Sequence, residues 1–228
     1  MSFTGFKPSL MKFLKELEKN NNRDWFADNK QRYEDLVVEP VMDFIEAMRP
    51  RVETISPHFL ALRGRTGGSM MRVYRDTRFS KDKTPYKTNV GLQFRHELGR
   101  DVHAPGFYVH LQSSGCFIGA GIWHPASDAL GAIRRHIDEN QPAWKKAKSA
   151  RRFRETFELS GESLKTVPRG FDPDHPAIED LRRKDFMGIA RVTQKEIGSA
   201  DFVKQTTGTL RAAKPLMSFL CEALDVPF

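Results

Sequence analysis

The chain has only two cysteines in 228 residues, Cys116 and Cys221. They form no CxxC pair and sit among apolar neighbours, Phe117 and Ile118 beside one, Phe219 and Leu220 beside the other. That excludes a disulfide framework and a zinc site built on thiolates, and both thiols read as small core residues. No uninterrupted apolar run approaches the ~20 residues that cross a bilayer. The opening residues 1–8 lack the apolar stretch of a secretory signal, so the expectation is a cytoplasmic protein with no membrane partner. Glycine (16) and proline (13) are too few for a collagen-like or low-complexity chain. Neither GxGxxG nor GxxxxGKS/T occurs, and Gly64, Gly67 and Gly68 match neither phosphate-binding pattern. The seven histidines show no HExxH or HxH spacing, and no serine has a glycine-flanked elbow. No metal and no cofactor is therefore expected.

What is present is a core. Seventeen Phe, three Trp and four Tyr in a chain 39% hydrophobic exclude intrinsic disorder, and 228 residues suit one domain spanning the whole chain. Residues 7 to about 55 read as helix. Pro8 sits where its missing N–H is harmless, Leu10, Phe13, Leu14 and Leu17 recur at helical spacing, and Pro40 is expected to kink or restart the run. The middle then changes to period two. Met71 and Val73 alternate with Arg72 and Tyr74, Val90, Leu92 and Phe94 with Asn89, Gln93 and Arg95, and Phe107, Val109 and Leu111 with Tyr108, His110 and Gln112. An apolar stretch at 116–123 follows a Ser–Gly turn, as in a hairpin. Helical pattern returns after Pro125, with Ser127 as a cap, and again after Pro142. Residues 160–176 read as loop, 186–192 as a strand, and the remainder as helix. The fold class is α+β: an antiparallel or mixed sheet of about four to six strands, packed by N-terminal and C-terminal helices.

The formal charge of +8 is not spread evenly. Residues 72–87 hold six basic against two acidic side chains, a local +4, and residues 145–154 hold six basic and no acidic ones, so the rest of the chain is at −2. In the first segment Arg72, Arg75 and Arg78 would repel one another unless an anion or the internal Asp76 and Asp82 offset them. The planar guanidinium suits carboxylate or phosphate through two parallel bonds. The segment fits RxxRDxRFxxDKxxY at Arg72, Arg75, Asp76, Arg78, Phe79, Asp82, Lys83 and Tyr86. In this it resembles a widespread bacterial family of proteins about this long, classed as a conserved domain of unknown function. Other similar positions are Asn21, Arg23, Trp25, Phe26, Tyr33, the Ala104-Pro105-Gly106 triplet, Gly119, Gly121, Trp123, Pro125 and the Pro168-Arg169-Gly170-Phe171 run. The resemblance covers nearly the whole chain and implies no activity.

The polar strand faces, with Tyr74, Asn89, Gln93, Tyr108, His110 and Gln112, suit a partly enclosed cleft better than a solvated surface rich in Lys, Glu and Thr. The leading expectation is an anionic small molecule, phosphorylated or carboxylated. Arg72, Arg75 and Arg78 would grip it, Asp76 and Asp82 would hold the arginines, and Tyr86 and His110 would line the pocket. Lys81, Lys83, Lys87, Tyr108 and Arg169 complete the ligand-binding candidates. His110 is the one acid–base candidate, against a structural histidine bonded to a neighbouring strand. Asp76 and Asp82 flanked by arginines make a poor Mg²⁺ site. One alternative is a nucleic-acid-binding module using segments 72–87 and 145–154, although no recognition motif accompanies them. The other is an arginine motif that only staples the fold. No reaction and no oligomeric state follows from the pattern.

Overall fold

Proline placement shapes the helical N-terminal third. The computed structural model describes residues 3–99 and 105–228, so Ala104 of the triplet lies outside the described residues. Helix α1 (Pro8–Lys19) starts with proline in its first turn and buries Leu10, Met11, Phe13, Leu14 and Leu17. Asn22 accepts the Trp25 N–H and caps α2 (Arg23–Asp28), and α3 (Lys30–Tyr33) follows directly. A single π turn (Glu34–Val38) then leads into α4 (Glu39–Glu53). Its cause is Pro40, which has no N–H for the carbonyl four residues back; the Glu39 N–H reaches Glu34 O instead, five residues back. The proline expected to kink the helix is thus absorbed as one widened turn.

The sheet holds β1 (Phe59–Leu60), β2 (Asn89–His96), β3 (Gly106–Gln112) and β4 (Cys116–Ile122). Next in the chain come α5 (Ser127–Glu139), α6 (Gln141–Ser149) and α7 (Arg151–Thr156). After them follow β5 (Glu158–Ser160), α8 (Ile178–Leu181), β6 (Phe186–Val192), α9 (Gln194–Ile197), α10 (Phe202–Ala212) and α11 (Lys214–Ala223). The six strands form one sheet in the order β1-β2-β3-β4-β6-β5, every neighbouring pair antiparallel. This is an α+β fold with an antiparallel sheet.

Three details differ from the sequence reading. Ser127 does not cap α5: the helix begins at Ser127 itself, Ala126 is the N-cap residue without a side-chain bond, and Ala126 O receives the Leu130 N–H. Ala150, extended at ψ 129°, splits the helix expected after Pro142 into α6 and α7. Residues 71–74 form no continuous strand. They join β2 through one isolated bridge, Met70 opposite Leu92, with Met71 N bonded to Gly91 O, and the chain before β2 through another, Tyr74 opposite Tyr86, with Arg75 N bonded to Pro85 O.

Register decides which side of the sheet is dry. Val90 faces Leu111, Leu92 faces Val109, Phe94 faces Phe107, Val109 faces Ile118, and Ile118 faces Ala190, so one side is continuously apolar. Helices α1, α4, α10 and α11 pack on that side of the sheet or along its edge, and the buried apolar side chains form one connected cluster. The residues opposite in the pleat, among them Gln93, Tyr108, His110, Phe117, Met187 and Ile189, point to the other face. Among the described residues no helix is long and apolar enough to cross a membrane.

Candidate functional site

The second sheet face carries a cavity of about 640 Å³, a size ordinary for a small-molecule site. Its floor comes from β2, β3, β4 and β6, and the 71–87 segment closes one side with Met71, Arg75, Asp76 and Lys87. Apolar walls are supplied by Phe117, Met187 and Ile189, with Trp123 half-exposed and Ser160 and Gly161 at the β4 and β5 ends. Asn89, Gln93, Tyr108 and His110 provide polar atoms.

Three of the polar groups on this face form a chain. Gln112 Oε1 can only accept, so the 2.9 Å contact places the proton on His110 Nε2. Nδ1 then accepts from the Tyr108 hydroxyl at 3.2 Å. The imidazole also stacks on Phe117, with centroids 4.6 Å apart and planes at 13°. Burial lowers the His110 pKa, opposed by the Gln112 bond, and burial pushes the Tyr108 hydroxyl up to about 12. Both ring nitrogens are thus engaged, and burial favours the neutral ring. Gly91 permits this arrangement: a Cβ there would lie 2.5 Å from Tyr108 Oη and 2.8 Å from Met71 Sδ.

The arginine segment is internally neutralised. Arg78 grips Asp76 with Nε at 3.0 Å and Nη2 at 2.7 Å, and Asp82 accepts from Arg75 Nη1, which also reaches the Thr84 hydroxyl. These contacts hold the Asp76 and Asp82 carboxyls at about 2, through the Arg78 bonds for Asp76 and the Thr84 N–H, then Arg75, for Asp82. Lys83 Nζ donates to Thr77 O. Lys87 differs: its half-buried ammonium has no hydrogen-bond or ion-pair partner among the described residues, and burial, then Arg72, lowers its pKa.

Of the residues singled out from sequence, Arg75, Asp76, Lys87, Tyr108 and His110 meet at the cavity. Arg78, Lys81, Asp82 and Lys83 stay on the exposed loop, whose tip carries Phe79, 96% exposed. Tyr86 is buried and stacks on Phe26 with centroids 4.1 Å apart. Arg72 lines a separate cavity of about 270 Å³ with Lys30, Arg65 and Tyr33, and Arg169 is exposed on the loop before α8. In the second basic segment Lys148 turns to Asp180 and Arg151 to Glu155, while Lys145, Lys146, Arg152 and Arg154 are exposed. Among the described residues no group of three or more His, Cys, Asp or Glu is placed to hold a metal ion.

Sequence reasoning missed Asp185. It is 1% exposed and accepts from the His124 N–H at 2.6 Å on Oδ1 and from the Glu162 N–H at 2.9 Å on Oδ2. It thereby clamps the segments after β4 and β5 where they form the end of the cavity. His124 sits at φ 46°, and Gly161 at φ 124° brings its Cα so near that a Cβ would lie 2.5 Å from Asp185 Cβ. Only the isolated acidic residue just before the 186–192 strand hinted at this, since the bonds join positions 61 and 23 residues apart.

Neither the curated proteins nor the solved structures contain a match to this chain. A family model described as conserved hypothetical protein (DUF2461) matches residues 9–219, which include the whole sheet and the 71–87 segment. The chain belongs to the DUF2461 family of conserved hypothetical proteins.

Proposed function

We propose that the protein binds a small organic anion, phosphorylated or carboxylated, with an apolar body, in the cavity on the open sheet face. The observation that carries this reading is Lys87. A half-buried ammonium without a partner among the described residues is an incomplete charge pair, and it lies on the wall of an apolar-sided cavity. Arg75 stands on the same wall. Its Nη1 is engaged by Asp82 and Thr84, leaving Nε and Nη2 to donate to a ligand. Met71, Phe117, Met187 and Ile189 suit the apolar body. The Arg78–Asp76 and Arg75–Asp82 pairs set the shape of the loop, so the stapling role belongs to the same device.

The test is calorimetric titration with phenyl phosphate and with alkyl carboxylates, on the wild type and on Lys87→Met. Loss of one charge-assisted contact worth about 1.5–3 kcal/mol predicts roughly ten- to hundredfold weaker binding in the variant. Failure of every such anion to bind at millimolar concentration, or equal affinity in the variant, refutes the reading.

A further inference from the structure

Gln93 carries the reading of this cavity one step further. Its side chain is buried, 7% exposed, yet Oε1 has no hydrogen-bond partner, and its carboxamide makes no hydrogen bond among the described residues. Buried amides in folded proteins are ordinarily paired, and an orphan of this kind on a cavity wall is a group left for a ligand. A carboxamide offers a donor and an acceptor side by side, in one plane. Its natural complement is a planar edge with the same pair reversed, as glutamine and asparagine use in reading the edge of adenine. Asn89, four residues earlier on the same strand and face, is a second amide with no side-chain bond among the described residues.

The remaining walls fit a flat ring. The Phe117 ring is braced by the parallel His110 ring, and Met71 and Met187 add polarisable sulfur, all of which favour the face of an unsaturated heterocycle. Lys87 precedes β2 by two residues and Gln93 is the fifth residue of that strand, so the cation and the amide stand at different places on the cavity wall and suit a ligand with its anion and its ring at opposite ends. We infer that the cavity takes a nucleoside phosphate, with its phosphate toward Lys87 and Arg75 and the edge of its base read by Gln93. This rests on the anion-binding reading above and adds to it the class of ligand and a specificity-determining residue.

The experiment is a titration of the full chain with four probes: adenosine monophosphate, uridine monophosphate, ribose 5-phosphate and phenyl phosphate. It is run on the wild type, Gln93→Leu, Gln93→Glu and Lys87→Met, with the melting temperature of each variant recorded. At least one nucleotide should bind the wild type tenfold or more tightly than ribose phosphate or phenyl phosphate. Gln93→Leu, which replaces an unpaired amide by an apolar group of similar size, should stay folded and erase that preference while leaving phenyl phosphate within twofold. Gln93→Glu keeps the shape but not the donor and should lose the nucleotide as well. If phenyl phosphate binds as tightly as the nucleotides, or Gln93→Leu leaves the preference intact, the inference falls while the anion site stands. If none of the four binds, the inference falls, and the anion reading falls with it when the alkyl carboxylates fail as well. A short single-stranded oligonucleotide in the same series separates a free nucleotide from one within a nucleic acid, and tighter binding of the oligonucleotide overturns the assignment to a free small molecule.

Discussion

Asp185→Asn tests whether one buried carboxylate holds the end of the cavity together. In the native protein each oxygen accepts one backbone N–H, from His124 at 2.6 Å and from Glu162 at 2.9 Å, with almost no solvent access. Asparagine has the same shape but a single acceptor, so one of the two N–H groups must face an NH₂ instead. The loss of one charge-assisted bond is worth about 1.5–3 kcal/mol, and the N–H left without an acceptor brings the total to about 2–4 kcal/mol. For a chain of this size, 1 kcal/mol moves the melting temperature by about 2–4 °C, so a fall of about 5–15 °C is expected.

Urea unfolding followed by tryptophan fluorescence, with the buried Trp144 as reporter, measures the difference directly. The midpoint should fall with the slope unchanged, because the surface exposed on unfolding is the same. Asp185→Ala abandons both N–H groups and must be the less stable variant. Since the clamp ends at residues 160 and 161 of the cavity wall, Asp185→Asn should also weaken phenyl phosphate binding at temperatures where it remains folded. An asparagine variant within about 0.5 kcal/mol of wild type, or one less stable than the alanine variant, refutes the argument.

Two further outcomes concern the arginine segment. Asp76 and Asp82 have folded pKa values of about 2, below the ordinary 3.8, so their contribution is complete above pH 3.8 and is lost as the pH falls toward 2; a carboxyl titration by NMR with midpoints at 3.8 would deny the pairs. Asp82→Asn separates positioning from simple neutralisation: removing a negative charge beside Arg75 raises anion affinity if only Coulomb attraction matters, whereas loss of loop geometry lowers it. The expected result is about a two- to fivefold fall in phenyl phosphate affinity, the scale of an exposed ion pair, and a rise would overturn the positioning role.

The strands were legible where alternation was strict. Val90, Leu92 and Phe94, and Phe107, Val109 and Leu111, point to the helices as their period requires. The same alternation at 71–74 misled, because these residues pair with the chain around 86 and 92 through separate bridges rather than a ladder. The apolar stretch at 116–123, broken only by Gly119 and Gly121, held an unread signal. Ile118, Ala120 and Ile122 face the helices, while Phe117, Gly119 and Gly121 face the cavity, so neither side of β4 looks onto open solvent. Asp185 was illegible for a different reason: its partners are backbone N–H groups, which carry no residue identity, brought to it only by the tertiary fold.

Stapling and the proposed binding, opposed when the arginine motif is read as a string, are compatible in three dimensions. Of the cations in residues 72–87, Arg78 and Arg75 are held by the segment's own carboxylates and Lys83 by a backbone carbonyl. Those bonds turn a run of repelling charges into a loop of definite shape, closed on itself by the backbone bonds of Arg75 to Pro85 and Lys87 to Val73 and joined to β2 by that of Met71 to Gly91. The ammonium beside the cavity with no partner among the described residues is that of Lys87, two residues before β2, where burial already disfavours its charge. A lysine on a free loop would escape that cost by swinging into water. Lys87 is tied at its backbone to Val73, and on the proposed reading an anion entering the cavity would relieve the cost of its burial and so couple the stability of the loop to occupancy of the site.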